Sequence, residues 1–251
     1  MQRAVPANPL LMEANFSDRS APIILLRPGV DGPPIFIAHG MAGSPAEFHE
    51  LVEYIDTAKP IYGLQAKGND GLEEPYDRIE DLAKYYLEAI KKIRPEGPYT
   101  LIGYSLGGLV TLEMAQRLSS DGVALLTMVE SYPHSAHISL RQQLRLWLHS
   151  PKNRGVGHIQ KQSPEDHRIY DSAYRAWRSY KPKFYPGKIC FVRAEVITAY
   201  PDDPIAVWGK LAKEIVTRTA PGDHHEILTK NFKLLGSIIS QCLAEAPETL
   251  G

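Results

Sequence analysis

Gly103-Tyr-Ser105-Leu-Gly107 places a serine between two glycines, after the apolar run Tyr99–Gly103 and before the helical stretch Leu106–Leu118. Five residues of this kind also describe an ordinary turn, but a strand before and a helix after give the pattern chemical meaning. A tight strand-to-helix turn strains the serine backbone, only small neighbours fit beside it, and the hydroxyl is lifted clear of the strand end. The first turn of the helix then lies beneath any negative charge that develops. A serine hydroxyl is a poor nucleophile until a base takes its proton. Of the nine histidines, His224 in Ala220-Pro-Gly-Asp-His-His-Glu226 stands in a loop after the last expected strand, where a base reaches across the strand ends. His225 is the alternative. His134, His137, His149, His158 and His167 fall in or beside a later insertion and His49 on an early helix, so surface roles suit these six. The acid that orients the base must also leave a strand end. Glu130 does so after Leu125–Val129, Glu195 after the next strand, and Asp202 and Asp203 in the loop beyond; each is also readable as an ordinary solvated carboxylate. His39-Gly-Met-Ala-Gly43 ends an early strand and offers a second backbone N–H, that of Met41, to complement Leu106 N–H around a tetrahedral oxyanion. His39 itself reads as a loop-shaping hydrogen bonder. This set of groups suits acyl transfer through a serine ester.

The elements that must position these groups follow from hydrophobic patterning. Ile23–Leu26, Ile35–Ala38, Pro60–Leu64, Tyr99–Gly103, Ala124–Val129, Lys188–Arg193 and Ile215–Thr219 read as strands. Several are short apolar runs without alternation, as expected where helices cover both faces of a parallel sheet. Between them, helices are expected from Pro45 to about Ile55, from Asp77 to Ile93 with Asp77 and Glu80 at capping-box spacing, from Leu106 to Leu118, and from Ile227 to Leu243. Strand and helix alternating in this order imply an α/β architecture with a mostly parallel sheet. From about His134 to Tyr185 the pattern changes. Leu140, Leu144, Trp147 and Leu148 suggest one short helix, Pro151–Gly157 a break, and Tyr170, Tyr174, Trp177 and Tyr180 a second amphipathic piece. An insertion of this size is read as a lid within a single domain over residues 1–251.

Composition sets the boundaries. The chain has 251 residues, 43% hydrophobic and 23% charged, with formal net charge −1. Such a length buries a core without disulfide or metal staples, and Cys190 and Cys242, in no CxxC pair, read as reduced packed thiols with a cytoplasmic location. The near-neutral balance disfavours a nucleic-acid platform. No segment reaches the roughly 18 apolar residues of a membrane span, and the N-terminus shows no signal-peptide core. The glycines do not follow G-x-G-x-x-G, so dinucleotide binding is excluded, and no metal site is expected.

With these residues in place, the chain resembles the thioesterase domains of non-ribosomal peptide synthetases, polyketide synthases and animal fatty acid synthase, members of the α/β-hydrolase superfamily. The resemblance rests on Leu26-Arg-Pro-Gly, Pro33-Pro-Ile-Phe-Ile-Ala-His-Gly40, Gly97-Pro-Tyr-Thr-Leu-Ile-Gly-Tyr-Ser-Leu-Gly-Gly108, Met128-Val-Glu-Ser-Tyr-Pro133, Tyr180-Lys-Pro-Lys183, Arg193-Ala194 and Pro221-Gly-Asp-His224. It implies an acyl, peptidyl or polyketide thioester on the phosphopantetheine arm of a carrier protein, transferred to Ser105 and released by water or an internal nucleophile. It implies no metal or organic cofactor. The family commonly has Asp where this chain has Glu130. Either the longer carboxylate still reaches His224, or the acid has moved to the loop holding Glu195 and Asp203; Glu130 is favoured. Leu144, Trp147, Leu148, Tyr174 and Trp177 are expected to line an acyl pocket, although helical spacing also suits plain packing. The chain shows no carrier-protein segment, so a free-standing carboxylesterase acting on small oxygen esters is the alternative. A non-catalytic ligand-binding member of the fold is the third reading.

Overall fold

The computed structural model describes residues 19–118, 122–134, 163–196 and 203–246. Seven strands form one sheet: β1 Ile23–Arg27, β2 Ile35–Ala38, β3 Ile61–Leu64, β4 Tyr99–Tyr104, β5 Val123–Val129, β6 Tyr185–Ala194 and β7 Ala212–Ala220. Their spatial order is β1-β3-β2-β4-β5-β6-β7. Only the edge strand β1 runs antiparallel, against β3; every other pair is parallel. The carboxyl ends of β2, β4 and β5 are therefore neighbours, with Ala38 opposite Gly103 and Tyr104 opposite Val129.

The helices are α1 His49–Val52, preceded by a 3₁₀ turn over Pro45–Phe48, α2 Ile79–Ile93, α3 Leu106–Leu118, α4 Pro164–Ser179, α5 Pro204–Trp208, α6 Glu226–Thr229 and α7 Phe232–Ala244. Alternation along each strand divides the core into two layers. Phe36, Leu101, Met128 and Phe191 pack with buried residues of α2, α3 and α4. Ile35, Ile37, Ile102, Tyr104, Val129 and Val192 pack on the opposite face with residues of α1, α6 and α7. This two-sided burial is why the central strands read as unbroken apolar runs.

Some expectations are corrected. Asp77 caps nothing: α2 begins after Arg78, no side chain caps it, and Asp77 pairs with Arg175 instead. Glu80 and Asp81 in its first turn and Lys91 and Lys92 in its last complement the helix dipole without a capping box. The closing helix is interrupted at Lys230 and Asn231, giving α6 and α7. The short α5, with fully buried Trp208, was not foreseen. Cys190 on β6 and Cys242 on α7 are paired as a disulfide rather than lying as separate thiols. A separation of 52 residues carries no local signal for such a pair, because only the packing of α7 on the sheet brings the two together.

Of the expected insertion, residues 135–162 lie outside the described residues, and with them Leu140, Leu144, Trp147 and Leu148. Its second piece is α4, started by a Ser163–Asp166 capping box with Pro164 in the first turn. Trp177 Nε1 donates to Tyr132 O at 2.9 Å and Tyr180 Oη to Glu113 Oε2 at 3.0 Å, which fasten the C-terminal half of α4 to the segment after β5 and to α3. At its other end Ile169 packs so closely on Gly43 that a Cβ there would overlap it. Helix α4 thus lies against the glycine-rich loop after β2. Among the described residues no helix is long and apolar enough to cross a membrane.

Candidate active site

Ser105 occupies the one residue between β4 and α3, at φ +53° and 7% exposed. The glycines around it are required by contact. A Cβ on Gly103 would overlap the Gly107 carbonyl, one on Gly107 the carbonyl oxygens of Ala38 and His39, and one on Gly108 the Ser131 side chain. The G-x-S-x-G-G spacing therefore lets α3 start immediately against the ends of β2 and β5. Ser105 N–H donates to Val129 O at 2.9 Å, which ties the turn to the residue preceding Glu130.

Glu130 is the other non-glycine residue with positive φ among the described residues, at +47°. Each such conformation costs on the order of 1–3 kcal/mol and persists only where its surroundings enforce it. Here the enforcement is explicit. Glu130 N–H donates to Val192 O at 2.8 Å, and Glu130 Oε1 accepts from Ala194 N–H at 2.6 Å. Trp208 Nε1 donates to the next carbonyl, Ser131 O, at 3.1 Å. The second carboxylate oxygen, Oε2, is left facing His224 Nδ1 at 3.4 Å. That is longer than the roughly 2.7–2.9 Å of a charge-assisted bond, as is common in a resting site whose imidazole has not yet taken a proton.

His224 is itself buried, at 8% exposure, in the loop between β7 and α6. Gly222 supplies the positive φ, +91°, and Asp223 Oδ1 accepts from His225 N–H at 3.0 Å and Glu226 N–H at 2.9 Å. The aspartate of Gly-Asp-His thus shapes the loop that leads into α6. Tyr104 completes the seat: its ring stacks on His224 with centroids 5.0 Å apart, and its hydroxyl donates to His224 O at 2.7 Å. Sequence reasoning did not single out Tyr104. The available signal was its place as the last residue of β4, directly before Ser105.

The alternative base and the described alternative acids are placed differently. The exposed His225 ring meets His224 edge-on at 5.2 Å, and partial burial together with the neighbouring imidazole pushes its pKa below the usual histidine value. Glu195 is exposed, and Asp203 Oδ1 caps α5 through Ile205 N–H at 2.9 Å. Asp202 lies outside the described residues. Leu106 is buried at the start of α3 and Met41 partly buried after β2. Of the expected pocket residues, Trp177 is held by its bond to Tyr132, Tyr174 is 41% exposed, and Leu144 and Trp147 lie outside the described residues. Among the described residues no group of three or more His, Cys, Asp or Glu is placed to hold a metal ion.

Comparison with known proteins identifies the family and the fold. The family model described as "Thioesterase domain" matches residues 33–245. The chain is 39% identical over 126 residues to a dimodular nonribosomal peptide synthase of Bacillus subtilis (strain 168), covering 49% of this chain and 5% of that one. It is 30% identical over 195 residues to malpibaldin synthetase of Mortierella alpina, covering 72% of this chain and 3% of that one. The chain thus spans a small part of the length of these relatives. Among solved structures, the NocB thioesterase domain from the nocardicin cluster superposes with TM-score 0.67 at 22% identity, covering 86% of this chain and 95% of that one. The type II thioesterase BorB from the borrelidin biosynthetic cluster does so with TM-score 0.67 at 20% identity, covering 88% and 97%. Both likenesses are of fold, that of the α/β-hydrolases.

Proposed function

This chain belongs to the thioesterase domain family, and from that premise we propose that it transfers an acyl, peptidyl or polyketide group from a thioester to Ser105 and then releases it. The observation that carries the reading is the placement, at the carboxyl end of one sheet, of a strained serine and a buried His224 whose Nδ1 faces Glu130.

In the first half of the reaction His224 Nε2 takes the Ser105 proton as Oγ attacks the thioester carbonyl. The tetrahedral oxyanion is met by Leu106 N–H, one of the helix donors without an intrahelical partner, and by Met41 N–H. Glu130 holds the imidazole with Nδ1 protonated and stabilises the imidazolium. The intermediate collapses by breaking the carbon–sulfur bond, His224 returns the proton to the leaving thiolate, and Ser105 carries the acyl group. In the second half His224 activates water, or a nucleophile within the acyl chain, to release an acid or a ring. The scheme is complete with the chain's own groups and calls for no metal or organic cofactor. The partner in this reading is an acyl or peptidyl carrier protein, supported by the kinds of synthases among the relatives. The segment from about 134 to 185 acts as a lid on a single domain, with α4 against the Gly43 loop and Trp177 and Tyr174 toward the acyl chain. A cytoplasmic location belongs to the same reading, although the paired cysteines no longer argue for it.

The test is hydrolysis of a chain-length series of acyl-N-acetylcysteamine thioesters beside matched oxygen esters, with the parent protein, Ser105→Ala and Glu130→Ala. Preference for thioesters, lost in both variants, is expected. Preference for oxygen esters indicates a carboxylesterase, and full activity without Glu130 removes it as the acid.

A further inference from the structure

The loop after β2 contains a second set of buried polar contacts that the acyl-transfer scheme leaves unused. His39 is 2% exposed, and its two ring nitrogens are both engaged. Nδ1 lies 2.6 Å from Gly40 O, and Nε2 lies 2.6 Å from the hydroxyl of Tyr86, a fully buried residue of α2. A carbonyl oxygen only accepts, so Nδ1 carries the hydrogen. In a neutral imidazole Nε2 is then the acceptor, and Tyr86 donates to it. Burial keeps the ring neutral by pulling its pKa down to about 4, against the weaker raising effect of the Gly40 carbonyl. On the other side of the same glycine, Gly40 N–H donates to Glu47 Oε1 at 2.6 Å. Both polar groups of Gly40 are therefore held by side chains, the oxygen by the adjacent His39 and the N–H by Glu47.

The carbonyl of Gly40 belongs to the peptide unit whose N–H is that of Met41. In a planar trans peptide the C=O and the N–H point in opposite directions, so fixing the oxygen against His39 fixes where the Met41 N–H points. The loop also lies against the nucleophile turn. A Cβ on Gly40 would stand 3.2 Å from the Tyr104 ring, and one on Gly107 would overlap the carbonyls of Ala38 and His39. Glycine has the widest backbone freedom of any residue, so without these contacts the peptide would be free to rotate.

We propose that His39 is a positioning residue for acyl transfer: hydrogen-bonded by Tyr86, it clamps the Gly40–Met41 peptide so that Met41 N–H is aimed at the oxyanion before substrate arrives. The proposal rests on the acyl-transfer reading above and deepens it. Preorganised donors act because they need no reorganisation as charge develops. Loss of the clamp should therefore weaken the transition state and leave ground-state binding alone. A further consequence is polarisation, since an amide whose oxygen accepts a hydrogen bond is the stronger donor at nitrogen.

The test uses His39→Leu, His39→Asn and Tyr86→Phe, with Ser105→Ala as control. Turnover of an acyl-N-acetylcysteamine thioester gives kcat and KM. Inhibition by an alkyl trifluoromethyl ketone reports oxyanion binding directly: Ser105 Oγ bonds to the ketone carbon, the carbonyl π pair becomes the oxyanion, and the serine proton goes to His224. Removing an oxyanion donor outright costs about 10²–10³-fold; a donor left in place but unaimed should cost less. We expect His39→Leu to lower kcat and ketone affinity together by about 10–100-fold with KM within about twofold. His39→Asn, whose amide N–H overlays Nδ1–H, should recover most of that loss. Tyr86→Phe, which removes one hydroxyl and keeps the packed ring, should cost about 3–10-fold in both quantities. The proposal is overturned if Ser105→Ala is inactive while His39→Leu and Tyr86→Phe keep parent kcat and ketone affinity. It is equally overturned if the loss appears in KM, or if His39→Asn is as impaired as His39→Leu. Turnover by Ser105→Ala would instead remove the acyl-transfer reading itself, and the proposal with it.

Discussion

Replacing Glu130 with glutamine removes a charge while leaving the shape of the side chain unchanged. At 3.4 Å from Nδ1, a carboxylate stabilises the imidazolium by about 5 kcal/mol at an effective dielectric of about 20, which corresponds to between 10³ and 10⁴ in rate. The geometry adds a second penalty. Ala194 N–H points at the Oε1 position and demands an oxygen there, so the glutamine NH₂ must face His224. It then donates to Nδ1 and favours the tautomer whose Nε2 already carries a hydrogen and so cannot take the proton of Ser105. We therefore expect Glu130→Gln to lower kcat/KM by about 10³-fold or more, with the Ala194 bond and the folded state retained. Glu130→Asp keeps the charge and suits the positive φ better, but it draws the carboxylate back by about one bond length; a loss of about tenfold is expected. The assay is thiol release from an acyl-N-acetylcysteamine thioester, with circular dichroism and melting temperature to verify folding. A folded Glu130→Gln protein that keeps more than a tenth of parent kcat/KM would refute this account of the acid.

Ser105→Ala should abolish turnover and covalent labelling by a serine-directed phosphonate, seen as loss of the mass increment, while the far-UV spectrum stays that of the parent. Tyr104→Phe keeps the ring that stacks on His224 but loses the donor to its backbone carbonyl; we expect a fall of about 3–10-fold in kcat and about 1 kcal/mol in stability, and unchanged urea midpoint and kcat would count against Tyr104 as the seat of His224. Burial of Glu47 holds its pKa up at about 7 against an ordinary 4.5. As pH rises from about 4.5 to about 7 the unfolded chain loses this proton while the folded chain keeps it, so stability falls across that window and the full penalty persists above it. Glu47→Gln, which still accepts from Gly40 N–H, should melt higher than the parent at pH 8 and equally at pH 4.5; the same difference at both values would exclude titration of Glu47 as the cause.

Much of this was legible in the chain because it depends on neighbours in sequence. Short apolar runs announced strands buried on both faces, and Gly103-Tyr-Ser105-Leu-Gly107 announced a tight turn whose glycines are needed for contact. The capping spacing at Asp77 and Glu80 misleads because it lies one residue too early for a helix whose N-cap position is Arg78, and Asp77 pairs instead with Arg175 on α4. The closing helix was read as continuous because apolar spacing persists across Lys230 and Asn231, where the backbone turns.

Residue types and local spacing by themselves determined the parallel sheet, the place of Ser105 on it and the loop that carries His224. They left Glu130, Glu195, Asp202 and Asp203 as equal candidates, since a carboxylate at a strand end looks the same in sequence whichever way the strand is ordered. Tertiary structure separates by position those it describes: β5 lies between β4 and β6, so Glu130 emerges beside Ser105, is held by Val192 and Ala194 and faces His224, while Glu195 is exposed. The same holds for the partners of His39. Tyr86 stands 47 residues away, and only the packing of α2 against the end of β2 turns an amphipathic position into the hydrogen-bond donor that sets the tautomer of a buried ring.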